Sequence, residues 1–190
     1  MIDFLFSIDL AVFYFFNHTL SIGFLDKFFG FITNVNHWYI AYLILIYISY
    51  KYGGKRGKIA AVLTIFLILA ADQFGASFLK PLFHRLRPCN YLTNALTPLG
   101  CTGSFSFPSN HAVNNFAAAV FFYRLFPKLK IILLVVASLM AISRVYLGLH
   151  YPSDIIGGAL IGAGIGYLFS LGALKIEMYI NRNNTVNENE

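Results

Sequence analysis

Long apolar runs separated by polar connections restrict the fold of this chain more than any other feature of its sequence. The hydrocarbon core of a bilayer is about 30 Å thick, so a helix needs roughly 20 apolar residues to cross it. Three runs meet this length, one of them with its flanks, and two aromatic-rich runs reach it once a few flanking residues are included. The longer runs are 59–79, 131–147 and 155–174, and the shorter ones are 38–50 and 112–126.

Composition argues against the other broad classes of protein. Hydrophobic residues make up 58% of the 190 residues and charged residues only 12%, about half the ~25% charged share of an ordinary soluble domain. Intrinsic disorder is excluded, because 20 Phe and 12 Tyr are the opposite of a weakly hydrophobic, highly charged chain. The sequence therefore predicts an all-α, polytopic membrane helical bundle.

The N-terminal region needs a separate interpretation. Residues 4–16 form an apolar run that we expect to be a sixth span. The run 22–32 is interrupted by Asp26 and Lys27, which is typical of an amphipathic helix at the membrane interface. Because Lys27 is the first basic residue, the chain shows no positively charged start of a cleavable signal peptide. These assignments give about six transmembrane helices.

The domain organisation that follows is simple. Residues 1–180 are predicted to form a single membrane-embedded domain, with 1–34 as its interfacial and first-span region. No internal repeat is detectable. The Asn/Glu-rich segment 181–190 is predicted to be a disordered cytoplasmic tail.

The positions of Lys and Arg predict the orientation of the bundle. The net charge is +6, but the basic residues lie singly or in short groups between apolar runs, which indicates topology signals rather than a nucleic-acid surface. Cytoplasmic connections of membrane proteins are enriched in Lys and Arg. Nine such residues mark that side: Lys51, Lys55, Arg56, Lys58, Arg124, Lys128, Lys130, Lys175 and Arg182. The alternate connections, 80–107 and 148–152, are then predicted to face outward.

The connection from 80 to 107 is well beyond the roughly 12 to 15 residues of a plain loop, and loops of that length are usually functional or disordered. It is not of low complexity, and it holds both cysteines, Cys89 and Cys101. In an oxidising compartment these could form a disulfide that restrains the loop. Two free thiols in a reducing space are the alternative.

Three segments at the predicted outward helix ends carry most of the unusual chemistry. They are Lys80 with Arg87-Pro88, then Pro108-Ser109-Asn110-His111, then Ser143-Arg144 with His150 and Asp154. Two guanidinium groups and one ammonium converging on a point make a site for a tetrahedral oxyanion, of which phosphate is the obvious example. If 80–87 is helical, the spacing of Lys80 and Arg87 places both on one face. Ser109 precedes a helix whose free amides and dipole can hold a further phosphate oxygen.

The histidines supply the reactive groups. His150 and Asp154 are four residues apart at the start of the last span, close enough for the carboxylate to orient the imidazole. This spacing predicts a nucleophile and its orienting partner. His111, on a different helix, is left to protonate the departing oxygen. A phosphohistidine formed on His150 would then be hydrolysed by water.

These three segments resemble the full signature of the type-2 phosphatidic acid phosphatase superfamily, which also includes the vanadium haloperoxidases. Order and spacing agree from Lys80 to Asp154, and one position departs, since Asn110 stands where the family usually has Gly. Asn tolerates unusual backbone angles, so we expect the backbone amide to be kept and the pocket shape to change. By this resemblance the phosphate ligands would be Lys80, Arg87, Ser109, Asn110 and Arg144, and the catalytic residues His111, His150 and Asp154.

The resemblance also implies a metal-independent phosphatase without a cofactor, and the sequence has no spare carboxylate cluster for Mg²⁺.

Several other residues have more than one interpretation. Asp72 and Gln73 lie inside a span, where polar side chains cost free energy. Asp72 could support the cationic cluster through a polar partner or bond a neighbouring helix. His84 and Arg85 could touch the substrate headgroup or be exposed loop residues. The small residues around Gly158, Gly162 and Gly166 favour close packing within the molecule over dimerisation.

The leading hypothesis is an integral membrane lipid phosphatase of the bacterial inner membrane, with its active site facing outward. Candidate substrates by family analogy are lipid A 1-phosphate and undecaprenyl diphosphate, ranked first, then phosphatidylglycerol phosphate and phosphatidic acid. The bilayer and a lipid phosphate are the expected partners; no nucleic acid or obligate protein partner is indicated. A lipid phosphotransferase using the same site and a small anion transporter are the alternatives.

Overall fold

The computed structural model describes residues 2–187, with side chains described for 4–184. Its regular elements in this range are all helical, which confirms the all-α prediction. The α-helices are α1 (Ile2–Tyr14), α2 (Gly23–Thr33), α3 (Tyr39–Tyr52), α4 (Gly54–Gln73), α5 (Lys80–Phe83), α6 (Pro88–Tyr91), α7 (Asn110–Leu125), α8 (Lys130–Tyr146) and α9 (Pro152–Asn187). A π-helical turn, Phe74–Leu79, joins α4 to α5.

Helix α7 lies at the centre of the bundle and packs against α4, α8 and α9. Its sequence alternates alanines with large apolar residues, so neighbouring helices can approach it closely while Phe121 and Phe122 fill the space between them. The main core cluster joins these residues to α4 and α9 through Leu67, Ala71 and Ala173. The core therefore holds in place α7, whose first turn contains His111.

Glycines on α9 bring its backbone against that of α7. A Cβ added at Gly162 would collide with the carbonyl of Val113, and one added at Gly166 would collide with the carbonyl of Ala117. Gly158 lies in the same way over Ser109, where a Cβ would be 2.9 Å from the carbonyl oxygen. The prediction that this small-residue stripe packs within the molecule is confirmed.

The outer surface of the bundle is apolar, as a lipid-facing surface should be. Three helical stretches are long and apolar enough to cross a membrane, 54–91, 127–146 and 152–184. The helical segments 4–19 and 23–33 pass the same test when they are taken together, although they are bent by 113° relative to each other. If this pair counts as one span, the number of candidate spans is four. Since α3 and α7 have 14 and 16 residues, the six-span count stays a prediction.

The bend after α1 separates the two N-terminal segments that the sequence distinguished. A π-helical turn, Phe15–Thr19, ends the first helix, and α2 then packs against the last turn of α8. Phe29 contacts Tyr146 at a ring-centroid distance of 4.7 Å, and the Tyr146 hydroxyl donates a 2.6 Å hydrogen bond to Asp26. Asp26, which interrupts the apolar run, therefore helps to hold α2 against α8.

Two local expectations differ from the structure. The stretch from Lys80 to Arg87 is not one helix: α5 ends at Phe83, His84 adopts a left-handed backbone with φ of 49°, and Arg87 precedes α6 in extended conformation. A helical face therefore does not align the two cations. At the other end of the chain α9 is helical through Asn187, across much of the predicted disordered tail, while 188–190 lie outside the described residues.

Candidate active site

The three segments singled out in the sequence meet at one end of the bundle. Lys80 begins α5, Arg87 precedes α6, Ser109 precedes α7, and Arg144 lies in the last turn of α8. His150 lies in the connection between α8 and α9, and Asp154 in the first turn of α9. The buried members, each 7% exposed or less, are Lys80, Arg87, Ser109, His150 and Asp154. His111 and Asn110 begin α7 and are partly buried.

Backbone carbonyls of the long loop hold two of the cations in place. Lys80 Nζ donates a 2.5 Å hydrogen bond to the Phe105 carbonyl. Arg87 donates through Nε to the Ser104 carbonyl at 2.8 Å and through Nη2 to the Ser104 hydroxyl at 2.9 Å. The long loop, rather than a shared helical face, therefore positions Lys80 and Arg87. Buried cations bound to neutral acceptors keep their positive charge uncompensated at short range, which favours an anionic ligand.

The third cation and the serine have unused hydrogen-bonding capacity. Arg144 donates through Nη1 to the Thr33 hydroxyl at 2.7 Å, whereas its buried Nε has no partner among the described residues. The buried Ser109 hydroxyl also lacks one. Buried polar groups without a partner are rare in proteins because each costs free energy. Two orphaned donors beside three cations fit a ligand with several acceptor oxygens.

His150 is oriented by contacts on both sides of its ring. Nδ1 lies 3.5 Å from Asp154 Oδ2 and 3.4 Å from the Ser106 hydroxyl, which itself donates to Oδ2 at 2.5 Å. Nε2 accepts a 2.9 Å hydrogen bond from Arg87 Nη1. Because a guanidinium can only donate and a carboxylate can only accept, Nε2 carries the lone pair and Nδ1 the proton. This tautomer leaves Nε2 as the nucleophilic atom, facing the cations.

Burial keeps this imidazole neutral. The pKa of His150 is lowered to about 3, chiefly by burial and further by the charges of Arg87 and Arg144, although Asp154 opposes the shift. A neutral imidazole is the form that can attack an electrophile. His150 is therefore neutral across the physiological pH range.

His111 faces the site from the first turn of α7. Its Nε2 lies 3.3 Å from the Thr33 carbonyl, which can only accept, so this nitrogen carries a proton. Thr33 thus contacts both His111 and Arg144 through different atoms. The end of α2 closes this side of the site, a role that its sequence gave no reason to expect.

An ion-pair cluster behind Asp154 was also missed. Arg85 donates to Asp154 Oδ1 and to Asp9 Oδ2, both at 2.6 Å, and its guanidinium lies 4.2 Å from the centre of the Tyr151 ring. Asp9, on α1, further accepts hydrogen bonds from the backbone and hydroxyl of Ser153. Arg85 is therefore not a free loop charge: it ties the first helix to the carboxylate beside His150.

The missed residues had weak signals in the sequence. Ser104 and Ser106 lie in the Ser/Gly/Phe stretch before Pro108, and Arg85 lies inside the first motif, so proximity in sequence could have nominated them. Asp9 and Thr33 are more than 70 residues from the motifs that they support. A single sequence contains no signal that pairs such distant residues.

The two cysteines of the long loop, Cys89 and Cys101, form a disulfide with Cα atoms 5.9 Å apart. No group of three or more His, Cys, Asp or Glu side chains in the described part of the chain could hold a metal ion. Metal independence stays a prediction, which activity in the presence of a chelator would test.

The fold and the site together define a class: an all-helical membrane protein whose buried cations and histidines surround a place for a tetrahedral anion. Residues 61–176 match the PAP2 superfamily, and the chain belongs to this family. The family resemblance predicted from the sequence is confirmed.

Its relatives act on lipid phosphates. The chain is 38% identical over 188 residues to a lipid A 4'-phosphatase of Bacteroides thetaiotaomicron, covering 93% of this chain and 81% of the relative. It is 31% identical over 151 residues to a lipid A 4'-phosphatase of Porphyromonas gingivalis, covering 75% and 64%. The crystal structure of a transmembrane PAP2-type phosphatidylglycerolphosphate phosphatase from Bacillus subtilis superposes with a TM-score of 0.71 at 27% identity, over 90% of this chain and 87% of that one. These relatives support lipid phosphate hydrolysis as the activity.

Proposed function

We propose that this protein removes a phosphate group from a lipid headgroup at the extracytoplasmic face of a bacterial inner membrane, through a phosphohistidine on His150. The observation that carries the proposal is the lone pair of His150 Nε2, which is held toward Arg87 Nη1 at 2.9 Å, together with two orphaned donors, Arg144 Nε and Ser109 Oγ. A phosphoryl group bound there satisfies the donors and lies within reach of the nucleophile.

The chemistry proceeds in two steps. Nε2 of His150 attacks phosphorus, the P–N bond forms as the bond to the lipid oxygen breaks, and His111 gives its proton to that oxygen. Water then attacks the phosphohistidine, His111 takes a proton from it, and inorganic phosphate leaves with Nε2 restored. Lys80, Arg87 and Arg144 stabilise the charge on the transferring oxygens in both steps. Asp154 stabilises the positive imidazole ring that exists while Nε2 is bonded to phosphorus.

The proposed orientation rests on two observations that are independent of each other. Basic residues cluster where α3 meets α4 and where α7 meets α8: Lys51, Lys55, Arg56, Lys58, Lys128 and Lys130. Tracing α4, α7 and α8 from those connections leads to the opposite end of the bundle, where the active site lies. With basic connections inside the cell, the site opens to the periplasm or exterior.

Among substrates, the 4'-phosphate of lipid A is the first candidate, because both lipid A relatives above are named for that position. The sequence ranking began with lipid A 1-phosphate and undecaprenyl diphosphate, which remain candidates. Phosphatidylglycerol phosphate also remains, since the Bacillus structure carries that name. Phosphatidic acid completes the panel.

The test is phosphate release by purified protein in detergent from each of these lipids, with a chelator present. We expect release from at least one lipid, and a fall of more than about a thousandfold in His150→Asn. Label transferred from a radioactive substrate to the wild-type protein should be stable to base and labile to acid, as a phosphoramidate is. Full activity of His150→Asn would overturn the nucleophile assignment, and activity abolished by the chelator would overturn metal independence.

A further inference from the structure

A cavity of about 400 Å³ opens inside the bundle beside the active site. It lies between α3, α4, α7 and α8, and most of its walls are aliphatic or aromatic. His111 lines it, so the cavity adjoins the place where the bond to phosphorus breaks. A cavity of this character, next to the leaving group, suits the part of a lipid nearest its headgroup.

One wall of the cavity is polar. Asp72 on α4 accepts hydrogen bonds from the side-chain amides of Asn110 at 3.1 Å and Asn114 at 3.0 Å, both through the same carboxylate oxygen. All three residues line the cavity. An ionised carboxylate can only accept, so each amide must turn its NH₂ group toward Asp72. The structure thus gives Asp72 the polar partner that its position inside a span requires.

The same constraint fixes the two amide oxygens. With both NH₂ groups committed to Asp72, Oδ1 of Asn110 and Oδ1 of Asn114 face away from it, and neither has a donor among the described residues. Both atoms are buried. The oxygen of Asn110 lies close to Gly75, where an added Cβ would be 3.0 Å from Oδ1.

The buried polar atoms that lack a partner among the described residues therefore fall into two groups, donors and acceptors. At the cations they are donors, Arg144 Nε and Ser109 Oγ, which a phosphate satisfies; in the cavity they are acceptors, which a phosphate cannot satisfy. Asn114 lies one turn after Asn110 on α7, about 6 Å deeper below the site at 1.5 Å per residue. The acceptors are thus placed for groups within a few bonds of the headgroup.

We propose that Asp72, Asn110 and Asn114 form a substrate-recognition subsite that selects lipid phosphates carrying a hydrogen-bond donor, an amide N–H or a chain hydroxyl, next to the headgroup. This inference rests on the proposed function and specifies the class of lipid. Asp72 acts as a positioning residue, since it holds the two amides with their oxygens available to the substrate. Lipids with only ester or prenyl linkages leave both acceptors unpaired and are poorer substrates, because a buried polar group without a partner is costly.

The experiment uses three synthetic lipid phosphates that differ in one group: a chain joined by an ester, the same chain joined by an amide, and the ester with a hydroxyl on its third carbon. Phosphate release by the wild-type protein in detergent gives kcat/KM for each. We expect the amide, the hydroxylated ester or both to exceed the plain ester by at least about tenfold. Which one does so identifies the donor as N–H or O–H.

Variants then assign the selectivity to the subsite. Asn114→Leu removes an acceptor with little change of volume, and Asp72→Asn allows the amides to turn around; both should bring the donor-bearing lipid to within about threefold of the plain ester. The control is Ile68→Leu, which changes a lining residue of the same cavity that has no polar side-chain atom. It should keep the wild-type ratio. Turnover of the plain ester by each variant shows that the site is folded.

Equal kcat/KM for the three lipids with the wild-type protein would overturn the subsite, as would selectivity that survives both Asn114→Leu and Asp72→Asn. Neither result bears on the catalytic histidines. Failure of the proposed function is a different outcome: the wild-type protein would release phosphate from none of the lipids, or His150→Asn would release it as fast as the wild type.

Discussion

At the scale of single residues, the proposed mechanism assigns the attack on phosphorus and the donation of a proton to two different histidines. His111 and His150 approach from different elements, and only His150 has its Nε2 lone pair held toward the cations. A general acid matters most when the leaving oxygen is a poor leaving group, and less when it is already stable as an anion. This difference makes the role of His111 testable without the natural substrate.

We predict that His111→Ala lowers kcat/KM by about 10² to 10⁴ for a lipid phosphomonoester. The loss should be much smaller for an aryl phosphate such as p-nitrophenyl phosphate, whose phenolate leaves without protonation. The measurement is the ratio of the two losses in purified protein. Equal losses on both substrates would show that His111 has a structural role instead.

The buried His150 also predicts how stability depends on pH. Its pKa is about 6.5 in an unfolded chain and is lowered to about 3 in the folded protein, so unfolding takes up a proton between these values. The contribution of this residue is therefore complete above pH 6.5 and is lost as pH falls toward 3, at up to about 1.4 kcal/mol per pH unit.

The check compares the free energy of unfolding in detergent from pH 7 to 4.5 for the wild type and for His150→Asn. The variant removes the titrating ring and should show a shallower decline below pH 6.5. Parallel curves would mean that His150 does not control this part of the pH profile.

How much of the site could be read from the sequence depends on whether its residues lie in fixed motifs. Lys80, Arg87, Arg144 and His150 were identified because their residue types and spacings have one obvious chemical use. Ser106, which bonds Asp154, was not, because serines are common in loops and only the folded chain brings it to that carboxylate. Supporting residues lie close to the site only in the folded protein, and a single sequence does not show which residues become neighbours.

At the scale of helices, the contact between α7 and α9 offers a matched comparison. Gly162→Ala would drive a methyl group into the Val113 carbonyl and should lower stability by about 1 to 3 kcal/mol, since backbone cannot move aside cheaply. Gly164→Ala, on the same helix with nothing within 4 Å of its Cβ, should be neutral or slightly stabilising. Thermal unfolding of both variants in detergent measures the difference. A similar loss in both would show that the close approach of Gly162 to the Val113 carbonyl does not set the effect.

Hydropathy predicted the helices well because the cost of burying polar backbone in lipid acts on long segments. It could not predict how the helices break. The expected helix from Lys80 to Arg87 ends at Phe83, and the following residue, His84, has a left-handed backbone and a ring whose centre lies 4.7 Å from that of Phe105 in the long loop. The helical continuation to Asn187 was missed for the opposite reason, since polar composition alone suggested disorder.

At the scale of the whole molecule, orientation is the property with the widest consequence for function. We predict that a membrane-impermeant thiol reagent labels Leu99→Cys, which is 57% exposed in the long loop, in intact spheroplasts. A cysteine replacing Lys55, in the first turn of α4, should react only after lysis. Both variants are made in a background with Cys89 and Cys101 replaced by Ser. The reverse pattern would place the active site in the cytoplasm.

The order in which the chain supplies its site has a consequence for biosynthesis. Asp9 comes from the first helix, whereas His150 and Asp154 come from the junction with the last. Synthesis must therefore pass α8 before His150 exists, and must enter α9 before its orienting carboxylate, Asp154, exists. Under the proposed mechanism an intermediate inserted only as far as α8 cannot cleave a headgroup, and the site is complete only when α9 docks.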